Sequence, residues 1–236
     1  VRTYVRTYVR TYVRTYLRRR KGPAWKSLCL RMLKIRIIGL QKTVPLLAGK
    51  NEKINIMSNK YIKKNDIIQR HIVDSAQIID IVDFNSNTTT DIGSGSGMPG
   101  IIIAILLKSL KKDIKVKLYE KSYHKSHFLR DVSTKLNLKT EIIQKNIFEE
   151  KKLETGTIMS RAFKPMPVVL DLVNENFSNF SNIIFFMGKS GREIFKNTLK
   201  DWDLEYSEKK SLTNKESFLI NVKKIKRKNK TQLKKN

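Results

Sequence analysis

From residue 62 onward the apolar residues fall into blocks whose period switches between that of a helix and that of a strand. Ile67, Ile68, Ile72, Ala76, Ile79 and Val82 make a helical stripe across Ile62–Phe84. Asn85-Ser-Asn-Thr is a turn cluster, and Thr88–Ile92 beyond it reads as a short strand. A glycine-rich loop follows. Pro99 stands where a helix begins, and Ile101–Leu110 fills that helix. Lys115–Tyr119 alternates as a strand and ends at Glu120. Ser122–Leu136 is a helix with Phe128, Leu129, Val132 and Leu136 on one side. Thr140–Gln144, Thr157–Ser160 and Asn182–Met187 are further strands, with a helix over Val168–Phe177 between the last two. Late strands are expected near Leu204–Tyr206 and at Phe218–Val222. This alternation predicts an α/β fold: a doubly wound, mostly parallel sheet preceded by a small helical N-terminal extension. Right-handed crossovers then bring the loops after the strands to one edge of the sheet, where ligands bind.

The chain divides into three parts. Residues 1–45 are a basic, low-complexity segment, expected to be poorly ordered, residues 46–222 the regular domain, and residues 223–236 a basic tail. The first sixteen residues are four copies of Val-Arg-Thr-Tyr. A helix would stack arginine on arginine at i, i+4, which repels, so the tract resembles a translated tandem repeat more than a built element. A basic amphipathic helix over Trp25–Ile38 is a further candidate.

Charge changes the picture of partners. The net charge is +28, yet residues 1–50 hold 14 Lys/Arg and no acid, and residues 223–236 hold 8 and no acid. The part between carries only +6. Basic ends of this kind seek a polyanion, either nucleic acid or an acidic membrane surface, and nucleic acid is the expected partner. No run of apolar residues is long enough to span a membrane. The single cysteine, Cys29, excludes a disulfide within the chain and points to a reducing cytoplasm. No metal-ligand spacing is present.

The candidate chemistry centres on Asp91-Ile-Gly-Ser-Gly-Ser-Gly-Met-Pro-Gly100, which joins a strand to a helix. Gly95-x-Gly97-x-x-Gly100, with Glu120 further on, formally matches a dinucleotide fingerprint. A methyltransferase reading explains more of the residues. Asp91 would lie near the amino-acid end of S-adenosylmethionine. Gly93, Gly95 and Gly97 would form the tight turn against the cofactor, and Glu120 would accept both ribose hydroxyls. In a dinucleotide enzyme the pyrophosphate sits on the helix N-terminus, where Asp91 would repel it.

Several segments together resemble one family, the bacterial 16S ribosomal RNA guanine-N7 methyltransferases, also called glucose-inhibited division protein B. The resemblance runs from about Leu46 to Lys224. It rests on Lys53-Ile-Asn-Ile-Met-Ser58, Arg70-His-Ile-Val-Asp-Ser75, the glycine loop with Met-Pro-Gly, Glu120-Lys-Ser-Tyr-His-Lys-Ser-His-Phe-Leu-Arg130 and Ser160-Arg-Ala162. It implies a class I, Rossmann-like methyltransferase fold. It also implies S-adenosylmethionine contacts at Gly93, Met98, Asn146, Ile147 and Arg161. His71, Asp74, Arg161 and Lys189 are candidates for substrate. The chain departs from the family at Lys145-Asn-Ile-Phe-Glu149, at Gly156, where an acid is usual, and at Gly188-Lys189.

Guanine N7 carries a lone pair and no proton, so its methylation needs alignment and no general base. The sequence shows no catalytic dyad, which agrees. Cytosine C5 methylation needs a nucleophilic cysteine, and Cys29 lies outside the domain. Amino-group methylation commonly uses Asn/Asp-Pro-Pro-aromatic, and Ser160-Arg-Ala-Phe-Lys-Pro-Met-Pro167 is not that segment. The activity the resemblance implies is methyl transfer to a guanine N7 of 16S ribosomal RNA, expected from a cytoplasmic monomer acting on the RNA or the small subunit. The rivals are a nicotinamide dinucleotide oxidoreductase and a non-catalytic RNA-binding or ribosome-assembly protein on the same fold.

Overall fold

The computed structural model describes residues 71–228. The Val-Arg-Thr-Tyr tract, the Trp25–Ile38 helix, Cys29, the Lys53–Ser58 motif and the last eight residues lie outside the described residues. Seven strands form one sheet: β1 Thr88–Ile92, β2 Lys115–Tyr119, β3 Thr140–Ile143, β4 Leu153–Arg161, β5 Phe177–Met187, β6 Trp202–Lys210 and β7 Phe218–Arg227. Their order is β3-β2-β1-β4-β5-β7-β6. The first five are parallel, and β7 runs antiparallel to both β5 and β6. Four helices connect them: α1 Gly100–Ser109, α2 Tyr123–Leu136, α3 Met166–Asn176 and α4 Gly191–Asp201.

β1 sits centrally, between β2 and β4, although its sequence is Thr-Thr-Thr-Asp-Ile. A buried hydroxyl is tolerated only when bonded. Thr89 Oγ1 donates to the Thr157 carbonyl at 2.9 Å, and Thr90 Oγ1 reaches Thr155 Oγ1 at 3.0 Å. Alternate residues of the strands feed two buried clusters. One gathers Val116, Leu118 and Met159 with α1 and α2; the other gathers Tyr119, Ile158, Ile183 and Phe185 with α3 and α4. Residues Gly100–Leu107 of α1 are all buried, because the sheet covers one side and Ile72, Ala76, Ile78 and Ile79 pack into the same cluster.

Most elements fall where the periodicity places them, and the differences have physical causes. In its described part, the helix expected over Ile62–Phe84 is broken into a π turn over residues 71–73, an α segment at Asp74–Ala76 and a 3-10 turn at Ile79–Ile81. Side chains of Ser75 and Gln77 bond locally, to the His71 carbonyl and to Asp74 respectively, and such bonds compete with the helical ladder. The apolar stripe still buries Ile72, Ala76, Ile79 and Val82. β4 and β5 begin earlier than expected. Their first halves, Leu153-Glu-Thr-Gly and Phe177-Ser-Asn-Phe-Ser, are polar and pair with each other through the ladder. β7 continues past Val222 into the basic tail, as far as Arg227. α4 is not foreseen. Its buried side chains are few, Phe195 and Thr198, and its signal is Ser190-x-x-Glu193 before Ile194 and Phe195.

Candidate active site

The parallel strands end on one edge, and the loops after β1, β2, β3 and β4 enclose a cleft of about 650 Å³. That is an ordinary size for a cofactor site. The β1 loop contributes Gly93, Ser94, Gly95, Ser96 and Met98. Gly93 takes φ +69°, and its Cα lies against the Phe163 ring so closely that a Cβ would overlap it. Gly97 does not line the cleft. It takes φ +84°, and a Cβ there would meet Ile101 Cγ1 at 2.5 Å and Leu129 Cδ2 at 2.8 Å, so this glycine lets α1 and α2 approach the loop.

Asp91 is also placed differently from the expectation. It is buried beneath the loop, outside the cleft lining, and its Oδ2 accepts from the Gly100 N–H at 2.9 Å. Burial pushes its pKa up to about 7, and the Gly100 N–H only partly opposes this. Asp91 thus holds the loop to the start of α1. Its titration has a consequence for stability. The unfolded carboxyl ionises near pH 3.8, as an ordinary aspartate does, while the folded one keeps its proton until about pH 7. Stability from this group is therefore complete below about pH 4, declines as pH rises and levels off above 7, a total of about 4 kcal/mol. Asp91→Asn is expected to flatten that slope in denaturant titrations run from pH 4 to 8. An unchanged slope would show that the carboxyl ionises normally.

The same bond disfavours the dinucleotide alternative. The Gly100 N–H is bound to Asp91, and the Ile101 N–H is bound to the Gly97 carbonyl at 2.7 Å. A pyrophosphate would need those donors.

Glu120, just beyond β2, lines the cleft. Its Oε2 accepts from the Gly95 N–H at 2.9 Å and its Oε1 from the Ser122 N–H at 2.8 Å. Each oxygen keeps acceptor capacity for a vicinal diol. Asn146 and Ile147, beyond β3, line the cleft. Asn146 caps a 3-10 turn over Ile147–Glu149 through its bond to the Phe148 N–H. The buried Asn176 at the end of α3 pins this loop by donating to the Phe148 and Glu150 carbonyls.

Arg161 closes β4 and lines the cleft. Its Nη2 lies 3.1 Å from Asp74 Oδ2, and its Nη1 donates to Ser75 Oγ at 3.0 Å and to the His71 carbonyl at 3.4 Å. Burial lowers its pKa, against Asp74 and Asp91. Asp74 also accepts from the hydroxyls of Ser211 and Thr213 in the β6–β7 loop. Of the substrate candidates, His71 and Arg161 line the cleft and Asp74 stands behind Arg161. Lys189 does not line it; its side chain is exposed and lies 3.7 Å from Glu216. Phe148, Phe163, Lys145 and Lys164 line the cleft and escape the sequence reading; Lys121 and Lys125, from the Glu120–Arg130 segment, bring the cleft lysines to four. The charge tally points to the chain ends, so it hides these lysines in a nearly balanced domain.

Residues 37–223 match the family described as rRNA small subunit methyltransferase G. The chain belongs to that family. The ribosomal RNA small subunit methyltransferase G of Pelagibacter ubique is 58% identical over 79% of this chain and 87% of its own length. That of a Ruegeria species is 29% identical over 75% of this chain and 85% of its own length. Two solved structures share the fold of this family member. An S-adenosylmethionine-dependent methyltransferase from Aquifex aeolicus has a TM-score of 0.51 at 13% identity, over 69% of this chain and 96% of that one. A variant of MtNAS in complex with S-adenosylmethionine has a TM-score of 0.51 at 16% identity, over 83% and 78%. As a family member the chain is an rRNA methyltransferase, and its fold is the one these two structures share. Among the described residues no helix is long and apolar enough to cross a membrane.

Proposed function

We propose that this cleft holds S-adenosylmethionine and that the chain methylates N7 of a guanine in 16S ribosomal RNA. The observation that carries the reading is the Glu120 carboxylate, fixed by the Gly95 and Ser122 N–H groups on the cleft wall. Its two oriented oxygens fit the ribose hydroxyls of the cofactor, and Gly93, Gly95 and Met98 offer the backbone surface against which it lies. Asn146 and Ile147 flank the adenine side. When bound, the cofactor supplies an electrophilic methyl group. The protein's task is then to bring the guanine in line with it and to exclude water. Arg161 is the cation placed to meet the guanine edge or a neighbouring phosphate, with His71 beside it in the lining. The four cleft lysines suit an RNA backbone at the mouth. In this reading the chain works as a monomer in the cytoplasm.

The test is transfer of labelled methyl groups to 16S RNA and to small subunits lacking the modification, followed by mapping of the modified base. Methylation at a guanine N7 is expected. RNA binding without transfer would support the non-catalytic rival, and binding of NAD(H) in place of S-adenosylhomocysteine would support the oxidoreductase.

A further inference from the structure

α2 begins three residues after Glu120, so its first turn stands on the cleft edge of the sheet. That turn carries an aromatic residue the cleft does not use. Tyr123 is 62% exposed, well beyond any other large apolar or aromatic side chain among the described residues. An exposed tyrosine of this size forgoes the burial that usually accounts for an aromatic residue. Two histidine rings flank it. His127, one turn on, lies nearly parallel to it, with ring centroids 6.2 Å apart and planes 14° apart. His124 meets it edge-on at 5.6 Å. His127 Nε2 is in turn 3.9 Å from Asp131. The three rings form a small aromatic platform on the outside of the helix. Lys121 and Lys125, on either side of Tyr123 in the chain, both line the cleft. An aromatic face beside lysines is the arrangement by which proteins hold a single strand: the cations follow the phosphates, and the rings stack on bases.

We infer that Tyr123, held by His127, is a stacking platform for an unpaired nucleotide of the ribosomal RNA that flanks the target guanine. The inference rests on the reading of the cleft as an RNA methyltransferase site and extends the RNA contact beyond it. A strand running from this platform across Lys121 and Lys125 delivers the next nucleotides to the cleft. Charge complementarity selects the partner. An acidic protein would be drawn to the same lysines, but a single-stranded nucleic acid repeats a phosphate and a planar base at every nucleotide, which matches a ring set beside cations.

The experiment measures the affinity of the full chain for 16S RNA and for unmodified small subunits, together with its salt dependence. Tyr123→Ala is expected to weaken RNA binding roughly ten-fold, the loss of one stacked base. The slope of log affinity against log salt should stay as in the wild type, because no phosphate contact is removed. Tyr123→Trp should restore affinity, whereas Lys125→Gln should lower the slope by about one. Binding of S-adenosylhomocysteine by Tyr123→Ala should match the wild type. Affinity of Tyr123→Ala within two-fold of the wild type on both RNA and particles would overturn the inference. Equal losses in Tyr123→Ala and Tyr123→Trp would also overturn it. Because binding is read directly, a wild type that binds RNA without methylating it would sink the catalytic reading alone, and the Tyr123 variants would still decide this one.

Discussion

Glu120→Ala is expected to lower the affinity for S-adenosylhomocysteine by two to four orders of magnitude. The carboxylate offers charge-assisted bonds to two ribose hydroxyls, each worth about 1.5–3 kcal/mol. Removing it also frees the Gly95 and Ser122 N–H groups that now order the two loops. Loss of preorganisation therefore adds to loss of contact. Glu120→Gln separates the two contributions. A glutamine keeps the shape and one acceptor, but it sets an amide NH2 against one of the two backbone N–H groups. Its affinity should fall between wild type and alanine. Calorimetry with S-adenosylhomocysteine measures both variants. Alanine binding within three-fold of the wild type would remove Glu120 from the cofactor site.

Arg161→Ala is expected to reduce methyl transfer more than a hundred-fold and to destabilise the protein as well. The guanidinium reaches Asp74, Ser75 and the His71 carbonyl, and the side chains of the Arg161–Asp74 pair are only 17% and 14% exposed. Deleting one member of a buried pair leaves the other charge uncompensated, at about 3–5 kcal/mol, or roughly 10 °C in Tm for a domain of this size. The double change Arg161→Ala with Asp74→Ala tests how the two effects divide. It removes the stranded carboxylate, so much of the Tm should return. Activity should not return if the guanidinium itself meets the substrate. Arg161→Lys keeps the charge but loses the fork that serves several acceptors at once, and should also be poorly active. Recovery of both Tm and transfer in the double variant would make Arg161 a structural residue only.

Legibility differed between elements for reasons of local chemistry. β1 and β2 were readable to the residue, because a turn cluster, a short alternating run and a glycine loop mark their ends. The segment 71–81 was readable as an apolar face but not as a broken helix, since the break arises from side-chain bonds of Ser75 and Gln77. α4 escaped because a surface helix needs little apolar sequence. In the site, Glu120, Asn146, Ile147 and Arg161 followed from motif order and came together in the cleft. Asp91 and Gly97 share the same motif, yet they serve beneath it. A sequence motif does not say which residues face the ligand and which support those that do. Phe163 offered no signal at all. Its position depends on Ala162 adopting a left-handed conformation, φ 49°, straight after β4, which costs an alanine about 1–2 kcal/mol.

The place of β7 bears on how the protein is made. It is the last described strand in the chain, yet it inserts between β5 and β6. On a translating ribosome the outer edge of β5 therefore waits, with its hydrogen-bonding groups unmatched, until residues 218–227 have emerged. The loop that precedes β7 brings Ser211 and Thr213 to Asp74, behind Arg161. That brace is encoded far downstream of the cofactor loops, and it can form only after residues 211–213 have been made.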